Sequence, residues 1–145
     1  MTSDPAVSKV AGALRVSMGM LVRRLRQVRG EGELTMPESS ALARLDRGGT
    51  MSATALAAIE QISAQSMGAT LAGLEARGLV ARRADPDDGR RALISPTKAG
   101  LQALRNVRDA RTAVLAQALS SGFTRAEVKQ LMTAAPLIER LAQSI

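Results

Sequence analysis

Acid and base are crowded into one stretch of the chain, residues 84–97, which reads ADPDDGRRALISPT. A turn formed by Pro86 and Gly89 carries the charged side chains Asp85, Asp87, Asp88, Arg90 and Arg91. Such a cluster could bind a metal ion, supply a catalytic carboxylate, or use its acids to hold an arginine that contacts an anion. These three kinds of chemistry make different demands on spacing and surroundings.

The spacing excludes the best-known calcium loop. An EF-hand needs oxygen ligands at positions 1, 3 and 5, Gly at position 6 and Glu at position 12. Counted from Asp85, position 5 is Gly89, position 6 is Arg90 and position 12 is Pro96. Two adjacent arginines would also repel a cation, so we expect no metal site here.

Catalysis is disfavoured by the expected surroundings of the carboxylates. On an exposed turn nothing desolvates them to shift their pKa values, and no walls exclude water. The whole chain also lacks Cys and His. This removes thiolate chemistry, disulfides, nearly all zinc sites and the side chain that most often transfers protons near neutral pH. We therefore expect a protein that is not an enzyme, with no catalytic residue and no cofactor.

The remaining interpretation is architectural. In DPDDG, Pro fixes φ and Gly permits positive φ, which is typical of a tight turn. The acids could hold the side chain of Arg90 by charge-assisted hydrogen bonds, with Asp88 as the main support. An arginine held on a protruding hairpin suits the narrow minor groove of DNA. Taken alone, the stretch is equally consistent with a hairpin whose charges only keep it soluble.

The composition favours a polyanionic partner. The 145 residues include 20 basic and 13 acidic side chains, giving a net charge of +7, and such an excess suits nucleic acid. No uncharged apolar run reaches the length of a membrane span, so we expect no membrane partner. The first residues, MTSDPAVSKV, lack the regions of a signal peptide, and we expect a cytoplasmic protein.

The first predicted helix covers residues 5–29 and would be ended by Gly30 and Gly32. Its apolar residues recur at alternating steps of four and three, a seam typical of helix pairing: Val7, Ala11, Leu14, Met18, Leu21, Leu25 and Val28. No acid lies between Asp4 and Glu31, whereas six basic residues do. The pattern predicts a packing seam on one side and a basic face on the other.

Three short helices are predicted next. One starts near Pro37 and ends at residues 46–49, a second follows the N-cap Ser52, and a third runs over about 64–77 and ends at Gly78. Two strands, about 79–84 and 91–95, then flank the charged turn. Two longer helices close the chain, over about 97–119 and from a capping box at Thr124 onwards, with Ile138 on the apolar face of the last.

The fourth helix has an unusual predicted surface. Met67, Leu71 and Leu74 would pack inward, leaving outward a face without charge: Gln65, Ser66, Gly68, Ala69, Ala72 and Gly73. Exposed helices usually carry Glu and Lys, so this face favours close approach to another surface. Gln can bond adenine, Ser can serve a base or a phosphate, and Ala can meet a thymine methyl group.

Helix, turn, helix and hairpin together predict a winged helix-turn-helix. Residues 51–100 resemble the multiple-antibiotic-resistance regulator (MarR) family of transcription factors. The resemblance is carried by Leu74-Glu75-Ala76-Arg77-Gly78-Leu79-Val80, by Asp85-Pro86-Asp87-Asp88-Gly89-Arg90, and by Ser95-Pro96-Thr97-Lys98-Ala99-Gly100. The order of helices before and after also fits, so the resemblance extends over nearly the whole chain. The fold class expected is mainly α with a small β-hairpin.

The resemblance implies a homodimer on palindromic double-stranded DNA, most simply a repressor. Residues 34–96 would form the DNA-binding domain, and residues 5–30 with 97–145 a helical dimerisation domain that includes Leu14, Met18, Leu21, Leu25 and Ile138. The predicted DNA contacts are Gln65, Ser66, Ala69, Thr70, Arg82, Arg90 and Arg91. The family often releases DNA on binding a small aromatic or anionic ligand, which Arg15 or another basic residue could pair between the first and fifth helices and the winged domain.

Two alternatives remain open. The chain could be a ligand-binding winged-helix protein with little DNA sequence specificity, because Gly68, Ala69, Ala72 and Gly73 offer few polar groups to bases. It could instead be an architectural or interaction module whose basic first helix docks an acidic partner. Comparing operator with scrambled duplex tests the first alternative, and deleting the hairpin tests the second.

Overall fold

The computed structural model describes residues 4–29 and 34–145. Within them lie six helices and three short strands, and the mainly helical class predicted from the sequence is confirmed. In chain order the elements are α1 (Pro5–Arg26), α2 (Met36–Gly48), β1 (Met51–Ser52), α3 (Ala53–Glu60), α4 (Ala64–Ala76), β2 (Val80–Ala84), β3 (Ala92–Pro96), α5 (Lys98–Gly122) and α6 (Arg125–Gln143).

Local side-chain chemistry sets most helix ends where the sequence predicts them. Ser52 caps α3 by accepting a hydrogen bond from the backbone N–H of Ala55 at 3.1 Å. Thr124 and Glu127 form the reciprocal capping box of α6, and Gly78 follows α4 with φ of 69°. Helix α1 ends at Arg26, three residues before its predicted end, and Gly30 and Gly32 lie outside the described residues.

The sheet has one strand more than the predicted hairpin. Strands β2 and β3 pair antiparallel from Val80 opposite Pro96 to Ala84 opposite Ala92. The additional strand β1 pairs with the other edge of β3 through Met51 and Ser52, giving the order β1-β3-β2. The prediction of only two strands was wrong because a two-residue strand is too short to show an alternating pattern.

One apolar core joins α2, α3, α4, the sheet and the first half of α5. Its buried members are Leu34, Ala41, Leu42, Leu45, Leu56, Ala57, Met67, Leu71, Leu74, Leu79, Val80, Ile94, Ala103, Leu104 and Val107. Aliphatic side chains and one Met fill this interior without any aromatic ring. The core fixes α4 and the hairpin against a common support.

The chain divides into two compact units, Met1–Arg111 and Thr112–Ile145. The core lies entirely in the first unit. The second contains the end of α5 and all of α6, and α6 buries no side chain. The predicted grouping of residues 5–30 with 97–145 concerns a dimer and stays a prediction. No described helix is long and apolar enough to cross a membrane.

Candidate nucleic-acid interface

A three-residue turn joins α3 to α4. Gln61 takes the left-handed conformation with φ of 56°, and the backbone N–H of Ile62 donates to the carbonyl of Ala57 at 3.1 Å. Ser63 then caps α4 by accepting from the N–H of Ser66 at 3.0 Å. This is the short, tightly bonded connection of a helix-turn-helix, with α4 in the position of the recognition helix.

The two faces of α4 divide as the sequence predicts. Met67, Leu71 and Leu74 are buried in the core. The residues predicted to face outward are exposed: Gln65, Ser66, Gly68, Ala69, Ala72 and Gly73. A Cβ added at Gly68 or Gly73 would meet nothing within 4 Å. Another molecule can therefore approach the backbone of α4 closely at these two glycines.

The polar groups on this face differ in how far the helix already uses them. The hydroxyl of Thr70 donates to the backbone carbonyl of Ser66 at 3.1 Å, and the Oγ of Ser66 accepts from the hydroxyl of Ser63 at 2.9 Å. Both oxygens keep hydrogen-bonding capacity for a further partner. Gln65 is exposed and makes no side-chain hydrogen bond to the described residues, so its amide is available for an incoming ligand.

The tip of the β2–β3 hairpin is a network of turn bonds. The N–H of Asp85 donates to the carbonyl of Arg91, and the N–H of Arg91 donates to the carbonyl of Asp88, each at 3.0 Å. The carboxylate of Asp85 accepts from the N–H of Asp87 at 2.9 Å. The acids thus serve the backbone of the turn, and no group of acids in the described residues could hold a metal ion.

Asp88 supports this tip through a contact other than the predicted one. We expected it to hold the guanidinium of Arg90, but its Oδ1 accepts from the backbone N–H of Arg90 at 3.1 Å. Its Oδ2 lies 3.9 Å from Nε of Arg91. The guanidinium of Arg90 has no partner among the described residues and is exposed. Asp88 therefore fixes the backbone from which Arg90 projects, since Asp side chains in turns readily accept from a backbone N–H two residues on.

Arg82 and Arg91, the other predicted cationic contacts on the hairpin, are each near an acid. Nε of Arg82 pairs with Glu75 at the end of α4 at 3.2 Å, and both side chains are exposed. Exposed pairs of this kind contribute little stability and exchange readily. Either guanidinium can thus turn from its carboxylate to a phosphate at small cost.

Glu60 ties the end of α3 to α2. Its carboxylate accepts from the hydroxyl of Ser40 and from Nε of Arg44, both at 2.6 Å. The Ser40 hydrogen bond, followed by Arg44, lowers the pKa of Glu60 below its ordinary value. These contacts fix the point where the turn into α4 begins. They were not predicted, because residues 20 and 16 positions apart show no local pattern.

The far end of α4 is held against α5. A Cβ on Gly100 would lie 2.0 Å from the carbonyl oxygen of Leu79, so only glycine allows this approach. The N–H of Thr97 donates to that same carbonyl at 3.1 Å. Both ends of the recognition helix are therefore anchored, by Glu60 at one end and by Thr97 and Gly100 at the other.

The predicted seam of α1 is only partly covered in a single chain. Helix α1 buries no side chain, and Leu21 is 48% exposed. Leu14, Met18, Leu25 and, on α6, Ile138 are half-buried. Isolated apolar residues on a surface need no explanation, but a continuous stripe over three heptads indicates an interaction face.

A cavity of about 270 Å³ lies where α1, α2 and α5 meet. Its lining includes the apolar residues Val28, Leu34, Met36 and Val107 and three arginines, Arg26, Arg29 and Arg111. Nε of Arg111 is buried and has no hydrogen-bond partner among the described residues. The sequence predicted a cavity between these elements with Arg15 or another basic residue as its cation; Arg15 does not line it, whereas these other arginines do. The three arginines are far apart in the chain, and no sequence pattern connects them.

The sequence profile of the MarR family matches residues 33–91. An HTH-type transcriptional regulator of Mycobacterium tuberculosis is 32% identical over 131 residues, 90% of this chain and 91% of that protein. Among solved structures, a protein of Pseudomonas aeruginosa is 29% identical with a TM-score of 0.80, covering 97% of this chain and 98% of the other.

A MepR mutant of S. aureus, solved bound to an oligodeoxyribonucleotide, shares the fold with a TM-score of 0.67 at 20% identity, over 94% of this chain and 98% of that one. The helix-turn-helix geometry, the hairpin and these likenesses agree. The chain belongs to the MarR family of winged-helix transcriptional regulators.

Proposed function

We propose that the chain acts as a homodimeric repressor that binds palindromic double-stranded DNA near its own gene. The observation that carries this proposal is the pairing of an uncharged, close-approach face on α4 with Arg90, which is exposed and has no side-chain partner among the described residues. Arg90 lies on the β2–β3 hairpin (residues 80–96), which is the wing of the fold. A face of this kind fits the major groove, and an exposed arginine fits the adjacent minor groove. The oligonucleotide-bound MepR mutant, which has the same fold, supports DNA as the partner.

Within each half-site, Gln65, Ser66 and Thr70 would contact base edges, and Ala69 would meet a thymine methyl group. Arg90 would insert into the minor groove from the wing. Arg82 and Arg91 would contact phosphates after leaving Glu75 and Asp88. Phosphate contacts position the protein, whereas the contacts from α4 would discriminate between sequences.

Dimerisation would use the partly covered seam of α1 together with α6. Residues 5–30 and 97–145 would then form the dimerisation domain, and residues 34–96 would bind DNA. Two recognition helices would then sit about 34 Å apart, one turn of B-DNA. Support comes from Leu14, Met18, Leu21, Leu25 and Ile138, whose apolar surface is uncovered or only partly covered in one chain.

The α1–α2–α5 cavity would bind a small anion with an apolar body and so control release from DNA. Three guanidinium groups and an aliphatic wall suit a compact carboxylate. The Nε of Arg111, which no described residue bonds, adds a buried donor that such a ligand would satisfy.

Footprinting on DNA that flanks the gene tests this proposal, with a scrambled duplex of equal length as the control. We expect a protected palindrome and at least about a thousandfold preference over scrambled DNA. Equal affinity for both duplexes would instead favour a winged-helix protein without sequence specificity, an alternative that the bare surface at Gly68 and Gly73 supports. Absence of any DNA binding would exclude both the proposed repressor and a winged-helix protein that binds DNA without sequence specificity.

A further inference from the structure

Arg26, the last residue of α1, borders two separate hollows. On one side is the α1–α2–α5 cavity that it shares with Arg29 and Arg111. On the other is a groove of about 410 Å³ that it shares with Ser66 and Thr70 of α4. Arg29 and Arg111 line the cavity but not this groove. Arg26 is therefore the one described cation common to the cavity and to the start of the recognition helix.

The charges around Arg26 leave its guanidinium available on both sides. It makes no ion pair or side-chain hydrogen bond with the described residues, and no described acid lines the cavity. The groove contains one carboxylate, Glu60, which is already engaged by Ser40 and Arg44 at 2.6 Å. An anion entering either hollow thus meets an uncompensated Arg26.

The groove also fits a DNA phosphate. The hydroxyls of Ser66 and Thr70 lie on the face of α4 proposed to enter the major groove, and Ser66 is in the first turn, at the end of the helix that carries positive partial charge. Hydroxyls and a guanidinium at a helix start are the groups that most often contact the DNA backbone. A phosphate beside the start of α4 would therefore lie in the groove that Arg26 lines.

We propose that Arg26 is a positioning and switch residue for DNA binding: it contacts a backbone phosphate beside α4 in the DNA complex, and the anionic ligand of the cavity competes for the same guanidinium. The proposal builds on the proposed function. The side chain of Arg26 cannot extend into the cavity and into the groove at the same time, so an anion that draws the guanidinium into the cavity weakens its contact with the phosphate. Release by ligand would then follow from loss of a phosphate contact in each protomer, without any required change in the wing.

Reciprocity gives this mechanism a measurable form. If the ligand lowers DNA affinity by some factor, DNA lowers ligand affinity by the same factor. Because Arg26 is the shared group, removing it should weaken DNA binding and also abolish the coupling. Loss of one phosphate contact should reduce the salt slope by about one per protomer.

The experiment uses the full chain, a fluorescent operator duplex, and benzoate as the probe, with benzamide as its neutral isostere. The variants are Arg26→Gln, Arg29→Gln and Arg23→Gln. Arg29 lines only the cavity, and Arg23 lies one turn away on α1 and lines neither hollow. All three arginines are exposed, so thermal melting should confirm an unchanged fold.

We expect Arg26→Gln to weaken operator binding about tenfold and to lower the salt slope by about one per protomer. Saturating benzoate should displace DNA from the wild-type protein but not from this variant, although calorimetry should still detect benzoate bound through Arg29 and Arg111. Arg29→Gln should lose benzoate affinity and keep DNA affinity. Arg23→Gln should leave both nearly unchanged, and benzamide should have no effect.

Three results would overturn the assignment of Arg26 while leaving the proposed DNA binding intact. One is equal loss of DNA affinity in Arg26→Gln and Arg23→Gln, which would show that both arginines act only through long-range electrostatic attraction to DNA. Another is displacement by benzoate that persists in Arg26→Gln, which would place the coupling elsewhere. The third is a wild-type protein that binds operator but neither binds nor responds to millimolar benzoate. Failure of wild-type protein to bind any operator would instead refute the proposed function.

Discussion

The hydroxyl of Thr97 donates a hydrogen bond of 2.7 Å to the backbone carbonyl of Gly78. Gly78 directly follows the C-cap of the recognition helix, and Thr97 directly precedes α5. The same Oγ1 accepts from the N–H of Gly100 at 3.1 Å. One side chain therefore satisfies a carbonyl at the end of α4 and an N–H at the start of α5.

Replacing Thr97 with Val should lower the free energy of unfolding by about 1–2 kcal/mol, because both backbone groups lose their partner. Thr97→Ser keeps the hydroxyl and should lose less than half of that amount. Urea denaturation followed by circular dichroism measures both variants. Equal destabilisation by Val and Ser would show that the methyl group matters and that the two hydrogen bonds do not.

The parts of the fold that were predictable are those encoded in neighbouring residues. Caps at Ser52 and Thr124, and the inward face of α4, depend on spacings of a few residues and were confirmed. The third strand was missed, because β1 exists only through its pairing with Ile94 and Leu93. The cavity arginines and the Glu60 contacts were missed for a related reason: each joins elements that are distant in the chain.

The hydrogen-bond partners of the acids at the hairpin tip could also not be predicted from the sequence. The composition of DPDDGRR indicates attraction between acids and arginines, but it cannot show which donor each carboxylate accepts. Asp88 has a backbone N–H two residues away, and that bond requires less side-chain ordering than one to a long guanidinium. The prediction therefore identified the residue and misjudged its contact.

Gly68→Ala and Gly73→Ala should stabilise the protein while weakening DNA binding. Each added Cβ meets nothing within 4 Å, and alanine is favoured over glycine within a helix by about 1 kcal/mol. If α4 enters the major groove, the added methyl groups should reduce operator affinity severalfold. Gly12→Ala on α1, where a Cβ also meets nothing, is the matched control and should stabilise without affecting DNA binding. Unchanged operator affinity in both α4 variants would argue against close approach at this face.

Glu60→Gln should destabilise the protein by about 1–3 kcal/mol near pH 7, because Ser40 and Arg44 lose a charged acceptor. The hydrogen bond from Ser40 and the contacts with Arg44 hold the folded-state pKa of Glu60 below its ordinary value, so the unfolded state binds its proton more readily. Stability from this group is present above that value and is lost as the pH falls through the folded-state pKa.

The difference between wild-type protein and Glu60→Gln should therefore narrow in urea titrations between pH 6 and pH 3. A double variant with Ser40→Ala should be destabilised by less than the sum of the two single changes, since both remove the same bond. A difference that stays constant across this pH range would show that the charge of Glu60 contributes nothing to stability.

Leu21→Glu should dissociate or unfold the protein, because a charge in the proposed apolar dimer seam would have no partner. Val16→Glu is the control, since Val16 is as exposed as Leu21 in one chain but lies on the opposite side of α1. Sedimentation at micromolar concentration should show a dimer for the wild type and for Val16→Glu only. A wild-type protein that sediments as one chain would refute the proposed assembly.

Arg90→Ala should weaken operator binding and lower the salt slope by about one unit for each wing engaged. The fold should survive, because the side chain is exposed and has no partner among the described residues. Fluorescence anisotropy over a range of salt concentrations measures both quantities. Operator affinity and salt slope that match the wild type would mean that the hairpin only keeps the protein soluble.

Two substitutions of Asp88 separate the effect of its hydrogen bond to the N–H of Arg90 from the effect of its negative charge on DNA phosphates. Asp88→Asn keeps an oxygen that can accept from the N–H of Arg90 but removes a charge that repels phosphate, whereas Asp88→Ala removes both. We expect Asn to tighten DNA binding slightly and Ala to weaken it, because an arginine on a loosened turn has about 2 kcal/mol of rotamer entropy to lose on binding. If Ala tightens binding as much as Asn, repulsion dominates and the turn bond does not position Arg90.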